Sequence, residues 1–252
     1  FKAINDRWGH HAGDAVLADL GAALRHCVRR SDCAVRMGGE EFALWLPQAD
    51  REVAARVAES VHARVGEIRL PEAIASHALR FGFEGVAVSG EGANETVWIA
   101  VQREWKDDPK GHAKILRYRV ADGAWGVLHY PLGEPGAGWM GLSEIVVLGT
   151  DELAVIERNN QWGERAIKRL YRVSVAGVTP AAPGAAQIPV LRKTVLRELV
   201  PDLARTGGTI LEKVEGFTVD RAGQIFVVTD NDGVQSVSGE TQFLRLGPVP
   251  PR

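Results

Sequence analysis

The sequence has little of several features that assign a protein to a class at first sight. It contains two cysteines, Cys27 and Cys33, whose spacing matches neither a CxxC metal pair nor a disulfide framework, and we expect both to be buried free thiols. No apolar run approaches the roughly 18 residues of a membrane span. The formal net charge is −2 at pH 7, which provides no basic field for nucleic acid. We therefore expect no membrane span and no nucleic-acid partner.

What is present suits a globular protein. The 252 residues are enough for one large domain or two modest ones. Hydrophobic residues make up 45% and charged residues 25%, an ordinary balance for a chain that buries a core. The chain starts at Phe1 and shows no signal peptide, so we expect a fragment of a longer protein.

The first 68 residues show helical periodicity. Leu17, Leu20 and Leu24 recur at three- and four-residue steps, which predicts an amphipathic helix. Asp50 is a suitable N-cap for a second helix. Between the helices, "AVRM" and "EEFALWL" indicate strands joined at Gly38-Gly39, a dipeptide suited to a two-residue hairpin turn. The pattern predicts a short α/β segment.

After about residue 70 the helical periodicity fades. Short β-type runs such as "ETVWIAV", "GVLHY", "EIVVLG" and "IFVVTD" follow one another and are separated by turn residues. Many short strands at close spacing favour an all-β sandwich, barrel or propeller. The stretch at residues 176–190, rich in proline and alanine, is typical of a surface loop.

A weak internal repeat favours the propeller. Residues 83–104, 142–159 and 214–231 each read as strand, turn and strand. The first strands carry Glu84, Glu144 and Glu215, and the second strands end in Gln102, Glu157 and Asp230. A propeller would bring these strand ends together at a central channel. The alternative is coincidence among unrelated strand-turn-strand units.

The motifs of the first segment resemble a known enzyme family. "FKAINDRWGHHAGDAVL", followed by "RRSDCAVRMGGEEF", is similar to the GGDEF family, the diguanylate cyclase domain, over residues 1–68. The resemblance implies that GTP is joined into cyclic di-GMP with Mg²⁺ held by carboxylates. It implies catalysis by Glu40, metal binding by Glu40 and Glu41, GTP contacts by Lys2, Asn5, Asp14, Arg36, Gly38 and Gly39, and an inhibitory product site at Arg29 and Asp32.

The same resemblance implies an incomplete enzyme. The family's other metal-binding aspartate would precede Phe1, and its second half would follow the second helix but is replaced by different sequence. We therefore expect a truncated cyclase domain without synthase activity. Binding of GTP or cyclic di-GMP is kept as an alternative function.

Residues 69–252 resemble another family. "LRFGFEGVAVSG", "VIERNNQWG" and "EKVEGFTVD" are similar to the phytase-like, esterase-like β-propeller domain of bacterial proteins. Three repeats are too few to close a propeller, so we expect the C-terminal part of such a domain. The resemblance implies hydrolysis of small phosphate or carboxylic esters.

Charged residues in this part suit a metal-assisted hydrolase. Hard oxygen ligands of the kind that Ca²⁺ accepts are Glu84, Glu144, Glu157, Glu215, Asp230 and Asp232, of which Glu157 and Glu215 are also catalytic candidates. Candidate phosphate ligands are Arg103, Arg158, Lys168 and Lys213. The alternatives are a structural network in which these charges pair with one another, and a non-catalytic binding module.

The sequence thus predicts a mixed fold, a short α/β GGDEF segment followed by an all-β partial propeller, in a chimeric or fused chain. The two resemblances imply different compartments. Diguanylate cyclase domains imply the cytoplasm, where GTP is, and phytase-like domains imply a periplasmic or secreted location. A genuine sensor–cyclase fusion is the alternative to a chimera.

Overall fold

The computed structural model describes residues 10–38, 41–64, 68–205, 207, 210–211, 213–230 and 241–251. The chain forms two compact units, Phe1–Arg69 and Leu70–Arg252. Within the described ranges, no helix is long and apolar enough to cross a membrane.

The described part of the first unit is a helix, a hairpin and a helix, as the periodicity predicts. Its elements are α1 (His10–Cys27), β1 (Cys33–Gly38), β2 (Glu41–Trp45) and α2 (Arg51–Arg64). Leu17 and Leu24, two turns apart on α1, are buried. The predicted cap of α2 is confirmed, because the Val53 backbone N–H donates to Asp50 Oδ1 at 2.8 Å. Gly39, in the predicted turn, lies outside the described residues.

The prediction that both cysteines are buried is wrong. Cys27, at the end of α1, is half-buried, and Cys33, at the start of β1, is exposed. The hairpin is a two-stranded sheet, and side chains along such strands alternate between its two faces. Cys33 and Trp45, which pair across the hairpin, both lie on its exposed side.

Where the structure describes it, the second unit forms three antiparallel sheets, which confirms that this part of the chain is mostly β. Two short helices, α3 (Glu72–Ala75) and α4 (Val200–Ala204), accompany them. The first sheet has the order β3 (Phe83–Ser89), β4 (Thr96–Val101), β5 (His112–Arg119) and β6 (Ala124–Pro131). The second has β7 (Met140–Gly149), β8 (Glu152–Asn159), β9 (Lys168–Ser174) and β10 (Arg192–Glu198), and the third has β11 (Val214–Val219), β12 (Gln224–Thr229) and β13 (Phe243–Pro248).

The core of this unit lies between successive sheets. Side chains such as Ile115 and Leu142 form one apolar cluster between the first and second sheets. A second cluster, with Ile156 and Phe217, joins the second sheet to the third. Each such side chain stabilises the fold by about 1.5–3 kcal/mol when it is fully buried. The leading strands β3, β7 and β11 are each the edge strand of their sheet. β7 contacts both β3 and β11, so these three edge strands lie in the same region.

The proline- and alanine-rich stretch at 176–190 is a loop that is fixed to the first sheet. Val127 on β6 forms an antiparallel bridge with Ala181, and His129 forms a parallel bridge with Val190. The loop therefore covers one edge of β6, and it also forms one wall of a cleft beside that strand.

A β-bulge marks the same point in each leading strand. The pairing register shifts between Phe83 and Gly85, between Leu142 and Glu144, and between Val214 and Gly216. The extra residues are therefore Glu84, Ser143 and Glu215. The repeats are structurally equivalent, but the predicted equivalence of Glu144 with the other two glutamates is wrong by one residue, because Ser143 occupies the bulge position in the second sheet.

Candidate functional site

A polar cleft of about 440 Å³ lies at the bulged ends of the leading strands. Glu84 and Glu215 reach it from two bulges, while Gln102 and Asp230 reach it from the residues just after β4 and β12. The full lining is Phe81, Glu84, Gln102, Trp139, Arg158, Lys213, Glu215 and Asp230. All three repeats therefore contribute to one site.

Arg158 on β8 is the buried cation of this cleft. Its side chain is 2% exposed, so its charge requires partners inside the protein. Arg158 Nε donates to Ser143 Oγ at 2.8 Å, and Arg158 Nη2 donates to Glu215 Oε1 at 2.5 Å. These bonds fix the guanidinium plane between the second and third sheets. Ser143 at the bulge of β7 thus accepts a hydrogen bond from Arg158, whereas the bulges of β3 and β11 carry a glutamate at the same position.

Two carboxyl groups here have raised pKa values. Burial, followed by the negative charge of Glu215, raises the pKa of Glu84 from 4.5 to about 7, although Arg158 and Lys213 act in the opposite direction. Burial also raises the pKa of Glu144 to about 7, against the hydrogen bond from the Ile145 N–H and with the help of Glu215. At neutral pH both groups are therefore divided between the acid and the carboxylate form.

Gly85 allows the first and second sheets to approach closely at this point. A Cβ on Gly85 would lie 2.6 Å from Glu144 Oε1 and 2.6 Å from the Ile145 backbone nitrogen, which is too close for any side chain. Gly216 lies on β11 of the third sheet, and a Cβ on it would lie 4.0 Å from Glu144 Oε2. Glu144 therefore sits between two glycines, beside the cleft.

One wall of the cleft is aromatic. The rings of Phe81 and Trp139 lie 5.6 Å apart, and the Arg103 guanidinium lies over both, 4.7 Å and 5.0 Å from their centroids. Trp139 is held by its backbone N–H, which donates to Asn160 Oδ1 at 2.9 Å. Arg103, predicted as a phosphate ligand, is thus stacked within the wall.

Two predicted site residues lie away from the cleft. Glu157 is fully buried, accepts the Gly133 N–H at 3.1 Å and forms an ion pair with Lys193. Lys168 is also fully buried, and its Nζ donates to backbone oxygens of Asn159 at 2.5 Å and Gln161 at 2.9 Å. Both side chains are therefore engaged in contacts within the fold.

The carboxylates do not form a ready metal site. Among the residues that the structure describes, no three His, Cys, Asp or Glu side chains converge as metal ligands would. Arg158 already neutralises Glu215, and the Ile145 N–H occupies Glu144 Oε1. The oxygen donors are of the type that Ca²⁺ accepts, but two of them are already engaged by protein groups.

The first unit has a cleft of its own, of about 410 Å³. Asp14 and Arg36, predicted to contact guanine and phosphate, both line it. The predicted inhibitory residues lie on a turn, where Asp32 Oδ2 accepts the Arg29 backbone N–H at 2.8 Å. Gly38 ends β1 opposite Glu41, which is exposed. Lys2, Asn5, Gly39, Glu40 and, in the second unit, Asp232 lie outside the described residues.

Sequence reasoning missed several cleft residues. Phe81 and Trp139 were not singled out, and the only signal for them was their position next to repeat starts at Phe83 and Leu142. Gln102 was noted as a strand end but not as a site residue. Ser143 has no motif of its own, and its role follows only from the bulge.

The fold and the cleft define a protein of repeated antiparallel sheets whose polar site is built from equivalent strand ends. The chain belongs to the phytase-like family, described as "Esterase-like activity of phytase", whose profile matches residues 43–233. The match begins within β2 of the first unit and includes the first two sheets with most of the third.

The chain also resembles diguanylate cyclases over a stretch about as long as its first unit. It is 49% identical over 67 residues to "Uncharacterized protein YhcK" of Bacillus subtilis, covering 27% of this chain and 19% of that protein. It is 41% identical over 70 residues to diguanylate cyclase DgcM of Escherichia coli, covering 28% and 17%, and over 73 residues to diguanylate cyclase DosC of the same species, covering 29% and 16%. The chain thus spans less than a fifth of these relatives. No solved structure matches it.

Proposed function

We propose that the second unit hydrolyses small phosphate esters in the cleft between Glu84, Arg158 and Glu215. The observation that carries the proposal is the pair of carboxyl groups with pKa values of about 7 next to a buried arginine. The phytase-like family match supports an ester as the substrate.

Substrate binding would depend on the two cations that line the cleft. The planar guanidinium of Arg158 matches the geometry of phosphate oxygens, and Lys213 adds a second positive charge. A phosphoryl group would compete with Glu215 for Arg158. Binding would therefore be strongest when the nearby carboxyl groups carry a proton.

Glu84 and Glu144 would supply the acid and the base. A carboxyl group with a pKa near the working pH can both donate and accept a proton. One of the two would take the proton of the attacking water, and the other would protonate the oxygen of the leaving alcohol. Two nearby carboxyls that share protons are a common source of such paired roles.

The test is turnover of 4-nitrophenyl phosphate at pH 7 by the whole chain. Glu84→Gln should lower kcat/KM by roughly 100-fold or more, since general acid–base catalysis contributes about that much. Glu198→Gln is the matched control, because Glu198 is an exposed carboxylate that pairs with Arg169 on the same unit. No turnover by the wild-type chain, or equal turnover by both variants, would overturn the proposal.

Two related functions, phosphate binding without catalysis and calcium-dependent catalysis, are tested by further measurements. Saturable binding of inorganic phosphate without turnover would favour a non-catalytic binding module. Dependence on calcium is a further proposal from the carboxylate donors, and it is tested by thermal melting with calcium or with a chelator. A rise in Tm with calcium that Glu84→Gln removes would support a cation in the cleft, and unchanged melting would exclude it.

A second candidate function belongs to the first unit. Asp14 and Arg36 line one cleft, and the chain resembles diguanylate cyclases, so we propose that this unit binds GTP or cyclic di-GMP. Mg²⁺ would accompany GTP at Glu40 and Glu41. Calorimetry with each nucleotide tests this idea, with Arg36→Met expected to weaken binding and Arg56→Met, on α2, as the control. Absence of binding to the wild-type chain would exclude it.

We further propose that the three sheets are blades of a partial propeller and that the two units have separate ancestries. The serial contact of β3, β7 and β11 and their bulges at equivalent positions support the first idea. The two different similarities support the second. An experimental structure would test the blade arrangement, and sequencing of the source DNA across codons 60–75 would test the fusion.

A further inference from the structure

A second cleft in the sheet-rich unit lies apart from the site above. It measures about 490 Å³ and is bounded by α3, the loop after β4, β6 and the loop that covers β6. Its walls are mostly small or apolar, and three imidazoles reach it. The imidazoles are those of His77, His112 and His129, and Asp107 also belongs to the lining.

His129 is the polar group set deepest in this cleft. It is 5% exposed, and its Nε2 lies 3.0 Å from Asp108 Oδ1, whose side chain is fully buried. Lys114, also buried, lies 2.5 Å from Asp108 Oδ1, and the Trp105 backbone N–H donates to Asp108 Oδ2 at 2.9 Å. The carboxylate is therefore anchored on both oxygens, and the imidazole ring is anchored by the carboxylate.

These contacts decide which nitrogen of the imidazole carries the proton. Burial alone would raise the pKa of Asp108, but hydrogen bonds from His129, Lys114 and the Trp105 N–H hold it below its usual value. An ionised carboxylate only accepts hydrogen bonds, so His129 Nε2 is the donor. In the neutral ring Nδ1 is then an acceptor, and no hydrogen bond within the described part of the chain occupies it.

The side chains that line the cleft indicate which kind of ligand could reach His129 Nδ1. Alanine, proline, isoleucine and valine side chains cannot pair with a charged ligand. The one carboxylate of the lining, Asp107, is already bonded to Lys114 at 2.7 Å. His77 and His112 are the other polar side chains of the lining, and no lysine or arginine is among the lining residues. The cleft therefore suits an uncharged molecule with a small apolar part and a hydrogen-bond donor at His129 Nδ1. Water is the smallest such donor.

We propose that this cleft is a second hydrolytic centre, in which His129, oriented by Asp108, activates water against an uncharged carboxylic ester. The water oxygen attacks the acyl carbon while His129 Nδ1 takes the water proton. The bond between the acyl carbon and the alcohol oxygen then breaks, and the proton passes from His129 to that oxygen. The products are a carboxylic acid and an alcohol, and no metal or redox partner is consumed.

The experiment is hydrolysis of 4-nitrophenyl acetate, an uncharged ester, by the whole chain. His129→Gln keeps a group that can donate to Asp108 but removes the base, and kcat/KM should fall by roughly 100-fold or more. His26→Gln is the matched control, because His26 is a surface imidazole at the end of α1 and reports non-specific imidazole catalysis.

A second variant keeps the test decisive if His129→Gln fails to fold. Ala186 is an exposed residue of the cleft wall, so Ala186→Trp should fill the cleft and leave Asp108 and His129 in place. Acetate ester hydrolysis should be lost while Tm and turnover of 4-nitrophenyl phosphate stay at wild-type values. A wild-type rate no higher than that of free imidazole at the same concentration would overturn the proposal, as would full activity in Ala186→Trp.

Discussion

The two units of this chain differ in what identifies them. The first unit carries the sharper motif, "MGGEEF", yet Leu17 and Leu24 are the only large apolar side chains that are buried in its described part. The second unit has no motif of comparable sharpness, but its three sheets bury continuous apolar clusters. A motif reports the chemistry of a few loop residues, whereas stability depends on long-range packing. Motif strength therefore says little about which unit carries a stable site.

The largest expected difference between the units is in core truncation. Ile156→Ala, at a fully buried position between two sheets, should cost about 4 kcal/mol of the free energy of unfolding, and Leu17→Ala in the first unit about 2 kcal/mol. Calorimetry should show two unfolding transitions, each lowered by only one of these variants. A single transition that both variants lower equally would remove the distinction between the units.

The next effect concerns the buried arginine of the proposed site. Arg158→Met leaves Glu215 without its cationic partner and should cost about 3 kcal/mol of unfolding free energy. Arg169→Met is the matched control, since its pair with Glu198 is exposed and should contribute less than about 1 kcal/mol. Urea unfolding measures both. Equal costs would show that Arg158 is no more important to the second unit than a surface charge.

A smaller effect is expected where two sheets approach each other. Gly85→Ala places a methyl group within 2.6 Å of Glu144 Oε1 and should destabilise the second unit by about 2 kcal/mol. Gly149→Ala, on β7, meets no atom within 4 Å and should leave stability nearly unchanged. Thermal melting of both variants makes the comparison. A neutral Gly85→Ala would contradict the close contact between β3 and β7.

The last effect is a pH dependence of the second unit. Glu84 and Glu144 have pKa values of about 7 in the folded protein, above the ordinary 4.5. A raised carboxyl pKa contributes stability below pH 4.5 that is lost as the pH rises through 7. The Tm of this unit should therefore fall between these values, and Glu84→Gln should flatten the fall. Identical pH profiles for variant and wild type would contradict the raised pKa.

Much of the fold followed from periodicity and turn residues. Asp50 caps α2 as predicted, and the three repeats start at equivalent positions. The register at the strand ends did not follow, because one extra residue at a bulge moves the next side chain to the other face. Glu157 lies in the core with Lys193 while its neighbour Arg158 faces the cleft, because successive side chains of β8 point to opposite faces of the sheet.

The second cleft could not be predicted from the sequence. Asp108 and His129 are 21 residues apart on different elements, and no local motif connects them. His112 follows the run "DDPKG", whose proline and glycine are typical of a loop, but it begins β5 and reaches the same cleft. Only the antiparallel pairing of β5 with β6, and the loop that covers β6, bring these side chains together.

We propose that the sheet-rich unit performs acid–base hydrolysis with Glu84 and Glu144. The most direct test is the pH dependence of kcat/KM for 4-nitrophenyl phosphate. The wild-type profile should be bell-shaped with its maximum near pH 7, and the Glu84→Gln profile should lose one of the two limbs as well as most of its height. A rate that is independent of pH between 5 and 9, or a bell-shaped profile unchanged in Glu84→Gln, would contradict it.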